Sequence, residues 1–116
     1  MQVWTNGTNG MINWSKLDEV IQLRGVELGI KPLAIVNKDI MVQKGITTTL
    51  PYIEYTPNKQ QRQRIYYQKR NEMKARQLST LLHGKRRDTA YHIQVGQLLG
   101  YSNSEIQEYL ARNKND

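Results

Sequence analysis

The stretch that decides the fold runs from Thr56 to Arg87 and reads TPNKQQRQRIYYQKRNEMKARQLSTLLHGKRR. Thr56 is a natural N-cap residue and Pro57 a natural first helical residue, because its missing N–H would be unpaired there in any case. No helix breaker follows before Gly84. Tyr67, Ala75, Leu78, Leu81 and Leu82 fall on one side of the resulting helix, while Arg62, Lys69 and Arg76 recur every seven residues on the other. The spacing therefore predicts a long basic helix over residues 57–83, whose first turns hold nothing apolar to bury.

Charge reinforces the importance of this segment. The chain of 116 residues carries a net charge of +7, unevenly spread. Residues 57–87 hold ten basic side chains against the single acid Glu72. Residues 1–56 are balanced at five of each sign, and residues 88–116 hold two basic and four acidic side chains. Such asymmetry points to a polyanionic partner.

Outward from this segment, Ser15 opens a helix over about 15–28, in which Gly25 is an interior cost and Gly29 a natural stop. Leu33–Val36 and Ile40–Gln43 flank Asn37-Lys38-Asp39 and read as a hairpin. Ile46–Tyr55 is β-rich around Pro51, which confines that run to a sheet edge or an extended loop. The Asn-Gly pairs in residues 1–14 suit a turn. Asp88 caps a helix reaching Leu99, Gly100 ends it, and Ser102-Asn103-Ser104-Glu105 is a capping box for a last helix. The expected fold is α+β in a single domain. An N-terminal helix and a small antiparallel sheet (15–56) are followed by the long basic helix (57–83) and a helical hairpin (88–112).

The sequence also argues against several function classes. There is no cysteine, so disulfides and thiolate chemistry are excluded. No apolar run approaches membrane-spanning length, and the first residues lack a signal-peptide pattern, so a cytoplasmic location is expected. His83, Asp88 and His92 form the one His/acid grouping, at a spacing that matches no metal motif. We expect no enzyme activity, no catalytic residues, no metal and no cofactor.

The segment from His92 to Ala111 resembles the helix-turn-helix unit of DNA-binding proteins. Gly96 stands where two helices would cross, Gly100 at the turn, and Val95, Leu99, Tyr101, Ile106 and Tyr109 supply inward apolar groups. The resemblance covers about 20 residues and implies a recognition helix from about Ser102 to Arg112, with Asn103, Ser104 and Gln107 facing bases. Glu105 and Glu108 on that helix are unfavourable beside phosphates. The expected function is that of a small basic nucleic-acid-binding protein, in the manner of a regulator. Its partner is DNA or RNA, contacted by Lys59, Arg62, Arg64, Lys69, Arg70, Lys74, Arg76, Lys85, Arg86 and Arg87, with Tyr66 available for stacking on bases. The alternative is a small inhibitor or adaptor, of the kind found among phage or bacterial accessory proteins, docking its basic helix on an acidic protein. Heptad spacing leaves a homodimer open.

Overall fold

Strand β3, Gln61–Tyr67, lies at the centre of a three-stranded antiparallel sheet between β1, Leu33–Asn37, and β2, Tyr52–Asn58. The structure is a computed structural model and describes residues 13–58 and 61–113. Leu33 pairs with Tyr67, Ile35 with Ile65, and Ile53 with Ile65 from the other side. The remaining elements are helices α1 (Glu19–Glu27), α2 (Lys38–Lys44), α3 (Glu72–His83), α4 (Thr89–Leu98) and α5 (Asn103–Asn113), with short 3-10 turns at Trp14–Lys16 and Lys69–Asn71. Helices and a small antiparallel sheet make this an α+β protein. The N-terminal turn expected before residue 13 lies outside the described residues.

The continuous helix expected over 57–83 is not present. Its first half is the β2–β3 hairpin, and only Glu72–His83 is helical. Ile65, Tyr66 and Tyr67 are all buried. No helix face can bury three successive residues against one neighbour, but a central strand covered on both faces does so. Tyr66 joins Ala34 and Val36 against Leu23 and Val26 of α1 and Met41 of α2. Ile65 and Tyr67 join Leu33 on the opposite face against Ala75 and Leu78 of α3 and Leu99. Pro57 is accommodated on edge strand β2 within the register shift between Tyr55 and Asn58, where the ladder is already interrupted.

The second arm of the hairpin expected at 33–43 is likewise replaced, by helix α2. Asn37, read as a turn residue, caps that helix: its side-chain oxygen accepts the N–H groups of Asp39 and Ile40 at 2.8 and 3.2 Å. The edge placement expected around Pro51 is found, since β2 begins at Tyr52 and borders the sheet. Asp18 rather than Ser15 caps α1, accepting the Ile21 N–H at 3.0 Å. Gly25 proves to be a seat rather than a cost, because a Cβ there would lie 2.6 Å from the buried Trp14 ring.

One polar side chain ties these layers together. Lys31 is 2% exposed, and its Nζ donates to the carbonyls of Leu33 and Leu99, each at 2.6 Å. It lies over the rings of Tyr101 and Trp14, at 5.0 and 5.9 Å from their centroids. The start of β1 is thereby fastened to the end of α4. Burial pulls the Lys31 ammonium down to about 7, opposed by the Glu105 carboxylate, which favours the charged form.

The unfolded chain keeps this proton to near the ordinary lysine value of about 10.5, whereas the folded chain releases it near 7. Unfolded molecules thus bind more protons between those values, and stability should rise with pH there. Tyr101, raised above its usual value by burial, stays protonated over the lower part of that window. Urea midpoints measured from pH 7 to about pH 9 are expected to climb in the wild type, and the climb should vanish in Lys31→Met; equal slopes in the two proteins would refute this assignment.

Candidate nucleic-acid interface

The basic side chains singled out in the sequence do not form one stripe. Arg62 is exposed on β3, Lys69 stands in the 3-10 turn, and Arg76 lies on α3, so their seven-residue spacing has no geometric meaning. Arg64 is half-buried at the sheet surface, where its guanidinium stacks on Tyr52 at 4.1 Å and donates to the Tyr66 hydroxyl at 3.1 Å. Tyr66 is only 1% exposed and cannot stack on a base. Arg76 is paired with Glu72 at 2.7 Å. Lys59 lies outside the described residues.

Apart from Arg62 on the hairpin, what remains separates into two basic patches at opposite ends of α3, a helix about 18 Å long. At its N-terminal end Arg70 and Lys74 border a shallow cleft with Gly29 and Ile30, and Arg70 donates to the Gly29 carbonyl at 3.3 Å. Beyond its C-terminal end comes the corner of Lys85, Arg86 and Arg87, all exposed. Arg86 pairs with Asp88 at 3.1 Å. Arg87 stacks over Tyr91 at 4.5 Å and donates to the carbonyls of Leu82, Gly84 and Arg86. That guanidinium satisfies carbonyl groups around the end of α3 and is held in place by them.

This corner leads directly into α4. Asp88 accepts the Tyr91 N–H at 2.9 Å, which, together with Arg86, holds its carboxyl below the usual range. Gly96 of α4 faces Ile106 of α5 so closely that a Cβ would stand 2.7 Å from Ile106 Cγ1. Gly100, at φ +84°, makes the turn and rests on Pro32, whose Cδ would be 2.5 Å from a Cβ. Ser102 and Glu105 form the reciprocal capping box, with Ser102 Oγ accepting the Glu105 N–H and Glu105 Oε1 accepting the Ser102 N–H.

The two acids of α5 are placed as the sequence did not suggest. Glu105 is 5% exposed and turned inward; its second oxygen accepts the Ser15 N–H at 2.7 Å. Glu108 lies 3.7 Å from Lys16. Asn103, Ser104 and Gln107 are exposed. Gln107, Leu110 and Ala111 form one wall of a groove whose other wall is Arg87, Asp88, Thr89 and His92. The structure thus brings the 84–87 corner beside one of the three residues proposed to face bases, a proximity that sequence separation concealed.

The His/acid grouping of the sequence does not assemble into a site. His83 Nδ1 is 2.8 Å from the Ser79 carbonyl on its own helix, and His92 packs against the rings of Tyr91 and Tyr109. Among the described residues no group of three His, Asp or Glu could hold a metal, and no helix is long and apolar enough to cross a membrane. No protein family, curated protein or solved structure matches the chain.

The close approach of α4 to α5 has a direct consequence. Gly96→Ala should destabilise the protein by about 1–3 kcal/mol through overpacking. Most of that loss should be relieved in a Gly96→Ala, Ile106→Ala double variant, relative to Ile106→Ala alone, in urea unfolding. A simple sum of the two single effects would show that these residues do not meet.

Proposed function

We propose that this protein binds nucleic acid in the manner of a helix-turn-helix unit. In this reading α5 faces the bases and the Lys85–Arg87 corner grips the phosphates. The observation that carries it is the groove shared by Arg87 and Gln107, combined with the inward turn of Glu105. A phosphate approaching α5 would meet neither oxygen of Glu105 free, and Glu108 is already engaged by Lys16. Beside the corner the groove presents Thr89 and Gln107, a hydroxyl and an amide of the kinds that read base edges, with Gln suited to adenine, while the one acid there, Asp88, is paired with Arg86. The four residues between α4 and α5 fit the length of such a turn.

A protein partner is the second reading, and it is favoured at the far end of α3. Leu28 and Met73 are 75% and 77% exposed and adjoin in sequence Gly29 and Lys74, which border that cleft. Exposed apolar groups next to cations that form no ion pair among the described residues suit an acidic amphipathic surface better than a bare phosphate chain.

Two charge-reversal variants separate these readings in anisotropy titrations with labelled duplex DNA and single-stranded RNA at several salt concentrations. Lys85→Glu/Arg86→Glu/Arg87→Glu should abolish binding or, where binding persists, reduce the salt dependence by about 2.7 in log–log slope, the value for three lost phosphate contacts. Lys69→Glu/Arg70→Glu/Lys74→Glu should retain most affinity. Gln107→Ala should weaken the preferred sequence by about 1–3 kcal/mol and others less. Absence of wild-type binding to either nucleic acid at low salt overturns the proposal.

A further inference from the structure

Between α4 and α5, on the side of Ser15, lies a cavity of about 420 Å³. Its walls are chiefly apolar and aromatic, including Tyr91, Val95, Leu99, Ile106 and Tyr109, and Gly96, against which Ile106 is packed, also lines it. Two cations border it, Arg87 and Arg112, and one acid, Glu105. Both Glu105 oxygens are occupied by backbone N–H groups, of Ser15 and Ser102. Arg112 takes part in none of the ion pairs formed among the described residues. A volume within the usual range of about 300–1,000 Å³, with aromatic walls and few polar groups, has the character of a small-molecule site.

Arg87 specifies the chemistry further. A guanidinium has five N–H donors. Both Nη1 donors are directed at the carbonyls of Gly84 and Arg86, and one Nη2 donor at that of Leu82. Nε–H and the second Nη2–H remain, the edge that engages a carboxylate side-on. Since the guanidinium is already fixed over the Tyr91 ring, little side-chain entropy is lost when a carboxylate docks.

We propose that the α4–α5 cavity binds a small aromatic carboxylate, its ring among Tyr91, Val95 and Tyr109 and its anion on Arg87 and Arg112. Arg87 also borders the groove that holds Gln107. A carboxylate on Arg87 therefore takes the donors that a phosphate would use, and ligand and nucleic acid compete. The binding site stands on the cavity alone; the competition rests on the nucleic-acid reading above. By linkage, the factor by which ligand weakens nucleic-acid binding equals the factor by which nucleic acid weakens ligand binding.

The test is a titration of the isotopically labelled full chain with phenylacetate and indole-3-acetate, and with their uncharged amides. Amide resonances of Gly96, Ile106 and Tyr109 are expected to shift saturably with at least one acid. The matching amide should bind at least tenfold more weakly, and Arg112→Gln should lose a similar factor. Val95→Phe, which adds bulk at a cavity wall and keeps both cations, should abolish the shifts while the folded spectrum is retained. Absence of shifts at cavity residues, equal binding of acid and amide, or broadening at the cavity that grows with protein concentration alone would each overturn the site. The last result would assign the cavity to a second copy of the chain. Competition is read separately, as a loss of labelled-DNA anisotropy on adding the bound acid. Unchanged anisotropy with a bound acid overturns the competition and leaves the site standing, and a chain that binds acid but no nucleic acid fails only the reading on which competition rests.

Discussion

A buried lysine holds this fold in its observed arrangement. Lys31 leaves the chain just before β1 and reaches the carbonyl of Leu99, which closes α4. Placing an ammonium in an apolar interior is costly unless its donors are satisfied, and here two carbonyls and two aromatic rings surround it. The neighbouring Pro32 supports the turn glycine, Gly100, so the orientation of the α4–α5 pair is referred to the sheet at this point. Glu105 makes the complementary tie, from α5 to the backbone of Ser15. Neither residue is spared for solvent or for a partner. Together they set where the exposed face of α5 points.

The distribution of exposed charge follows from that placement. Charge concentrated in residues 57–87 is divided by the fold between a hairpin, a 3-10 turn and the two ends of α3. Arg64 is taken up on Tyr52, and Arg76 and Arg86 each have an exposed acid partner, Glu72 and Asp88. Others stay exposed in two patches, and one of these adjoins the groove along α5. Arg87 is the pivot. Its contacts to α3 and to the Tyr91 ring hold it rigid, and it borders both the groove and the cavity. A side chain in that position can couple what occupies one to what occupies the other.

How much of this was legible in the sequence depended on how local each signal was. Asp88, Gly100 and the Ser102–Glu105 capping box act within a few residues of themselves, and the helices they delimit were placed from sequence with little error. Residues 57–71 went the other way. Thr56-Pro57 is a sound helix start in isolation, but what makes Gln61–Tyr67 a strand is its position between β1 and β2, a long-range fact. The run Ile65-Tyr66-Tyr67 was the available clue, since three bulky β-formers in succession suit a strand buried on both faces. Asn37 failed for a related reason, because the same side chain serves turns and helix caps. Asn103, Ser104 and Gln107 of α5 and the 84–87 corner, singled out in the sequence, are exposed. The adjacency of Gln107 to that corner, the burial of Tyr66 and the roles of Lys31 and Glu105 depend on packing between distant segments, which local pattern does not encode.

The proposed nucleic-acid contact is tested most directly by mapping where a duplex touches the protein. Backbone amide shifts of the labelled protein, followed during titration with a short DNA duplex at low salt, report this residue by residue. The prediction is a contiguous set of perturbations at Lys85–Thr89, Asn103, Ser104 and Gln107, with Arg62, Lys69 and Arg70 little changed. Perturbations centred on Lys69–Lys74, with α5 silent, would contradict it.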